Sequence, residues 1–306
     1  MKTALILDSA CSLPKRVCEK YNISLLPIAY SVDNEEFTDD CNEQSALALF
    51  ESGIFSRKHD VRTTPPTAED FEQAIIEKIK QGFSQVIVQT VNRTQGETYE
   101  NANAGIARVK QQLEGQQITM RVMDSRTVFA GQGLMATETV RRMLRSNDET
   151  AVRRQMDKMS EKIHTYILPK EPLIALERSR QRNESSIGWT QALLANKLGI
   201  HPIICNVNDA SESVGKVWGF KKAAKALFHH AIKCIDAGVY SPIVTINYCG
   251  DLAELKELPG YSELEEKAEE KKLMLIPSVA SLAGGIYTSV GSLSIALATE
   301  THSWSS

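Results

Sequence analysis

Short apolar runs that end in polar corners and lead into helical stripes recur through the first half of the chain. The run Ala4 to Leu7 closes on Asp8-Ser9, and a helical stretch follows near Lys15 to Tyr21. Phe71, Ile75, Ile76 and Ile79 then fall at helical spacing. The β-branched run Gln85 to Val91 lies between Gly82 and a polar segment, with a polar helix predicted from Thr98 to Leu113. After it, Thr119 to Asp124 reads as another strand, closing on a second Asp-Ser pair, Asp124-Ser125. Such alternation predicts an α/β architecture with a largely parallel sheet.

Beyond this point Asn147 to Lys162 reads as a connecting helix whose apolar edge is Val152, Met156 and Met159. A boundary near His164 divides the chain into an N-terminal α/β domain, 1–163, and a C-terminal domain, 164–306. In the latter, Gly199 to Val207, Ser241 to Tyr248 and Leu273 to Val279 read as strands, while Lys216 to Ile235 and Ser262 to Lys272 read as helices. The C-terminal half is therefore α/β or α+β as well. No solenoid-type repeat and no low-complexity segment occurs.

In open parallel sheets ligands sit outside the carboxyl ends of the strands, where loops lead into helices. Three segments have that character, Leu5 to Pro14, Gln89 to Thr98 and Val122 to Gly133, all rich in Ser, Thr, Asn and Gly. A fourth polar loop, Val61 to Phe71, enters a helix through Thr67 as N-cap with Asp70 at N3. Helix capping alone accounts for any one of these loops; four on a common rim point to a binding edge.

With 306 residues, 42% hydrophobic and 24% charged, the chain can build a substantial core. A formal net charge of -3 gives no general attraction to nucleic acid or anionic lipid. The first apolar run is too short for a signal peptide and no segment approaches a membrane span, so a cytoplasmic location is expected. Cys11, Cys18, Cys41, Cys205, Cys234 and Cys249 are scattered without ligand spacing, which predicts reduced thiols and no metal site. No cofactor motif is present. Ser9 and Ser125 lack a nucleophile elbow, and the six histidines fall in no catalytic motif. Ala130 to Gly133 lacks the lysine and length of a P-loop, so its glycines are expected to permit close helix packing.

The order and content of these loops resemble the DegV family of bacterial fatty-acid-binding proteins across nearly the whole chain. The resemblance is carried by Asp8 to Pro14 (DSACSLP), Thr63 to Phe71 (TTPPTAEDF), Met123 to Ala136 (MDSRTVFAGQGLMA), Leu198 to Ile204 (LGIHPII) and Lys216 to Leu227 (KVWGFKKAAKAL). It implies a two-domain DegV-like architecture that buries a long-chain fatty acid between the domains and holds the carboxylate at the interdomain rim with hydroxyl groups. In that reading the protein is not an enzyme itself; a fatty acid kinase subunit and transient membrane contact are the implied partners. Thr63, Thr64, Gly96, Thr98 and Thr288 are the implied head-group residues. Where the family has a serine pair, this chain has Asn92 and Arg93, either of which takes the donor's place depending on register. The family's arginine corresponds to Arg180 or Arg182, and its C-terminal histidine is replaced by Tyr287, which cannot supply a cation. Ile28, Ile167, Leu173, Ile203 and Ile286 are the expected tunnel lining. The alternative reading is a small-molecule hydrolase or phosphotransferase using the same polar rim.

Overall fold

The computed structural model describes residues 3–146, 148–181 and 199–304. Its first sheet has the order β2-β1-β6-β7, from strands Ser24–Leu26, Thr3–Asp8, Gln85–Thr90 and Thr119–Asp124, all parallel. Side chains alternate across it. Ala4, Ile6, Val86 and Val88 meet helices α3 (Ala68–Lys80) and α4 (Thr98–Gln112) through Phe71, Ile75, Ala102, Ile106 and Val109. Leu5, Leu7, Ile87 and Met123 face the other way, onto helix α5 (Ala130–Met143). Thr67 caps α3 through a reciprocal capping box with Asp70.

The second sheet is mixed, with order β10-β9-β8-β13-β11-β12, built from Ala210–Trp218, Ile200–Val207, Ile163–Leu168, Leu293–Ala298, Ile243–Tyr248 and Met274–Val279. On one face Tyr166, Leu168, Ile203, Cys205, Leu293, Ile295 and Leu297 pack on helix α8 (Phe220–Ala237) and on the helix Tyr261–Glu270. On the other face Ile163, Ala296 and Ala298 meet α5 and its neighbour α6 (Glu149–Ser160), whose Val152, Met156 and Met159 are buried as the apolar edge predicts. A small antiparallel sheet, β4-β3-β5 (Glu35–Thr38, Ala29–Val32, Val61–Thr64), packs with helix α2 (Glu43–Glu51) against helix α11 (Leu282–Thr288).

Helix α5 is thus the shared layer between the two large sheets. A helix buried all round differs from the one-faced helices that cover a sheet, and from Ala130 to Ala136 every residue of α5 is buried. Its glycines set the spacing. A Cβ on Gly131 would lie 2.0 Å from Thr165 Oγ1 and 2.2 Å from Thr127 Oγ1, and one on Gly133 would lie 2.8 Å from the Cys11 carbonyl. The two threonine hydroxyls bond each other at 2.7 Å, and Thr245 donates to the Ala130 carbonyl at 2.6 Å. The packing role expected of these glycines holds. The polar end of α5 is also pinned, since the buried Glu138 carboxylate pairs with Arg141 and Arg142 and accepts from Ser241 at 3.0 Å.

Three elements differ from the sequence reading. Lys216 to Trp218 end strand β10 instead of opening a helix: β10 pairs antiparallel with β9 through a turn at Asn208 and Asp209, both with positive φ, and Gly219 (φ 80°) separates strand from helix. Ile163–Leu168 and Leu293–Ala298, which carry no polar alternation, are central strands buried on both faces. Gly131→Ala is expected to lower unfolding free energy by about 3 kcal/mol, the upper end for overpacking, measured by denaturant titration. A loss under about 0.5 kcal/mol would show that the seam relaxes freely around the methyl.

Candidate functional site

The strand ends β1, β6 and β7 leave the parallel sheet on the same side, and the two Asp-Ser corners lie there. Asp8 is fully buried. Its Oδ1 accepts from the Ala10 amide at 3.1 Å, and its Oδ2 accepts from the Val91 amide at 2.7 Å and from Gln132 Nε2 of α5 at 3.1 Å. Asp124 Oδ1 accepts from the Arg126 amide at 2.9 Å and the Arg93 amide at 3.2 Å. Each corner aspartate therefore holds its own turn and reaches into the loop after β6. That loop, lying between β1 and β7 in the sheet, is gripped from both sides.

The serines complete the corners structurally. Ser9 Oγ accepts from the Ile28 amide at 3.0 Å, and Ser125 Oγ donates to the Thr127 carbonyl at 3.0 Å. Ser12, in the left-handed region, accepts from the Ser281 amide at 2.9 Å and so ties the first corner to the start of α11.

A cavity of about 340 Å³ opens where these corners, the small sheet and α11 meet. Its buried lining is Ala10, Val91, Thr98 and Val128, with Ala283 and Tyr287 from α11; Ile28, Thr63, Pro65 and Phe129 complete the wall. The mouth is polar, formed by Thr94, Gln95, Gly96 and Glu97. Thr63 Oγ1 and Tyr287 OH share a 2.7 Å hydrogen bond across it. Behind the lining, Ala10, Val91 and Val128 belong to an apolar cluster with Ile167, Ala175, Leu176 and Ile204, so the floor joins both large sheets. Phe129 takes φ 48° and ψ -119°, a backbone conformation costly for an aromatic residue. It sits directly before α5 and places its ring at the cavity.

The family model described as an uncharacterised protein of the DegV family matches residues 2–300. The chain belongs to the DegV family. A DegV domain-containing protein of Xanthomonas campestris pv. campestris is 28% identical over 313 residues, covering 100% of both chains. Among solved structures, a stearic acid-binding protein from Eubacterium ventriosum matches with TM-score 0.83 at 18% identity, covering 98% of this chain and 99% of that one. A DegV lipid binding protein from Thermotoga maritima gives TM-score 0.77 at 17% identity (99% and 100%), and DegV of Bacillus subtilis, a fatty acid binding protein, gives 0.77 at 16% (98% and 100%). These likenesses share the two-sheet α/β fold of the DegV family.

Against this DegV frame, the residues singled out in the sequence separate clearly. Thr63, Gly96, Thr98 and Tyr287 line the cavity. Thr64, next along β5, points to the opposite side and is exposed. Asn92 is buried beside the cavity, where its Oδ1 accepts from the Thr94 amide at 2.8 Å and the Thr94 hydroxyl at 2.9 Å, and its Nδ2 has no partner among the described residues. Arg93 is turned outward to Asp124 (3.5 Å) and to Asp209 of the second sheet (3.7 Å). Thr288 bonds the Gly284 carbonyl at 2.7 Å within its own helix. Arg180 is exposed, and Arg182 lies outside the described residues. The buried arginine of that helix, α7 (Pro172–Gln181), is Arg178, which donates to the carbonyls of Val61, Ser56 and His59 and joins α7 to the small sheet.

Of the expected tunnel residues, Ile28 lines the cavity and Ile167 lies in the cluster behind it. Ile286 packs with Phe50 and Tyr287 in the core under the small sheet. Ile203 points to the α8 face, its neighbour Ile204 being the one turned to the cavity floor, and Leu173 is 46% exposed. Thr94, Gln95, Glu97 and Phe129 also line the cavity; all four stand in the rim loops, and residue type alone does not mark them.

Burial pushes the Asp8 carboxyl up to about 6, against the three N–H donors that pull it down. A carboxyl raised in the folded state favours folding most fully below its unfolded value of 3.8, and that advantage is lost as pH rises through 6. Relative to Asp8→Asn, which does not titrate there, the native protein should therefore lose about 3 kcal/mol of stability between pH 3.5 and pH 7. Paired urea titrations across that range check it, and a relative gain with rising pH would contradict the sign.

Proposed function

We propose that this protein binds one long-chain fatty acid, its acyl chain in the cavity between the two sheets and its carboxyl group at the rim. The observation that carries the reading is the lining itself: an apolar floor shared by both sheets beneath a hydroxyl cluster, Thr63, Tyr287 and Thr98. At about 340 Å³ the cavity falls in the lower part of the range for small-molecule sites, roughly 300–1,000 Å³. Fourteen or so buried methylenes at about 0.8 kcal/mol each would supply on the order of 10 kcal/mol before entropic costs. Neutral donors then need only orient the head group, each contributing about 1.5–3 kcal/mol if it meets a charge.

In this reading the protein is a non-catalytic carrier in the cytoplasm, dividing near residue 163 into two domains. The division is supported by Ile163 opening β8, the earliest strand of the second sheet. The location is supported by six free cysteines, as expected under reducing conditions. No helix among the described residues is long and apolar enough to cross a membrane. A head group lying at a solvent-facing rim is also within reach of a phosphorylating partner, and release from a bilayer would bring transient membrane contact. The hydrolase alternative gains no support: Ser9 and Ser125 are engaged in corner bonds outside the cavity, and no histidine stands among its described lining residues.

Lipid extraction and mass spectrometry of the purified protein should return fatty acids at near one per chain. Tyr287→Phe and Thr63→Val should each weaken oleate binding about fivefold to tenfold, as for one lost hydrogen bond of about 1 kcal/mol or slightly more. Thr64→Val, on the opposite side of β5, should leave it unchanged. Protein free of acyl chains that binds none on titration would end this reading.

A further inference from the structure

We infer that Phe129 sets the length of acyl chain the cavity accepts, its ring closing the cavity on the side of the core under the small sheet. The inference rests on the acyl-binding reading above and adds a limit on chain length. Phe129 stands at the second position of a tight turn, closed by the Gly131 amide donating to the Val128 carbonyl at 3.0 Å. Its φ of 48° and ψ of -119° are those of the position that a type II′ turn gives to glycine. Close packing at Gly131 fixes where this turn must lie. Glycine would make it without strain, yet the chain places an aromatic ring there.

The surroundings of the ring give that strain a use. Rings that only fill core, such as Phe50, Phe55 and Phe71, are at most 4% exposed. Phe129 is only partly buried, and it lines the cavity. On one side it packs on the floor cluster of Val91, Val128 and Ile167, and on the other on the core that holds Phe50 and Ile286. Among the described residues Phe129 alone belongs to both clusters. Its ring rests on α11 at Gly284, where an added Cβ would lie 3.7 Å from Phe129 Cδ1. An acyl chain lengthening along the floor gains about fourfold in affinity per buried methylene until its end meets this ring. Further methylenes then find no room, because a close-packed core does not yield to them. Deleting the ring leaves an apolar void that the surroundings fill only in part, and a longer chain end can occupy it.

The test is displacement of cis-parinarate, a fluorescent linear fatty acid, from delipidated full-length protein by even-numbered saturated acids from decanoate to eicosanoate below their micellar concentrations. It is repeated for Phe129→Gly, Phe129→Ala and Phe129→Leu. Native affinity should rise about fourfold per methylene and level off at a definite length. In the glycine and alanine variants that limit should move about two to four carbons longer, with shorter acids bound within about threefold of native, and the leucine variant should fall between. Urea titration should find Phe129→Gly more stable than Phe129→Ala, since both lose the ring and only glycine relieves the turn. A limit unmoved in all three variants, or Phe129→Ala at least as stable as Phe129→Gly, would overturn the role of the strained ring and leave the acyl cavity standing. Native protein that binds neither cis-parinarate nor any of the saturated acids would overturn both readings.

Discussion

One buried carboxylate joins the first two rim loops to the helix that lies between the sheets. Asp8 ends the central strand β1, turns the chain by holding the Ala10 amide, fixes the neighbouring loop by the Val91 amide, and reaches Gln132 on the helix between the sheets. Ala10 and Val91 are themselves cavity wall. An unpaired buried charge would be costly, and the three donors are what make this one tolerable. The arrangement lies between β1 and β6, where the strand order reverses direction and a parallel sheet leaves a crevice.

The same carboxylate has a second state within reach. Gln132 Oε1 is buried without a partner among the described residues, while its Nε2 serves Asp8. Rotation of the amide would present that oxygen as an acceptor to a protonated Asp8, in place of the Nε2 donor that serves the carboxylate. Burial is what raises the Asp8 carboxyl to about 6, so its proton is held more tightly than in the unfolded chain. The exchange lies at the base of helix α5, whose glycines leave no spare room against Thr127, Thr165 and Cys11. A seam packed this closely has few alternative arrangements.

Much of this was legible in the sequence, and what was not has a consistent cause. Polar loops between apolar runs mark strand ends reliably, because backbone groups at a sheet edge need partners and Asp, Ser and Thr supply them. The rim loops were therefore found, along with the capping box at Thr67 and the apolar edge of α6. Facing is harder. Thr63 and Thr64, or Ile203 and Ile204, differ only in strand parity, and one residue of register moves a side chain from the cavity to the far side. Arg178 and Arg180 lie two apart on α7, nearly opposite around a helix, so the buried arginine and the exposed one exchange roles with a small error in alignment. The hairpin at Asn208-Asp209 lacks the usual glycine, and β8 and β13, covered on both faces, show no alternation to read.

The outward turn of Arg93 explains how the loop after β6 keeps a charged sequence beside the cavity. Its cation bridges Asp124 of the parallel sheet and Asp209 of the β9–β10 turn, so it fastens the loop to the second sheet as well. With the Arg93 side chain more than half exposed, such pairs are individually weak and salt-sensitive. Their effect here is directional: the backbone amide of Arg93 is already fixed by Asp124, and the side chain is drawn to the same side. What remains facing the cavity is Thr94, Gln95, Gly96 and Glu97. The two corner aspartates thus fix the backbone of this loop at Val91 and Arg93, and the polar mouth is built on that fixed base.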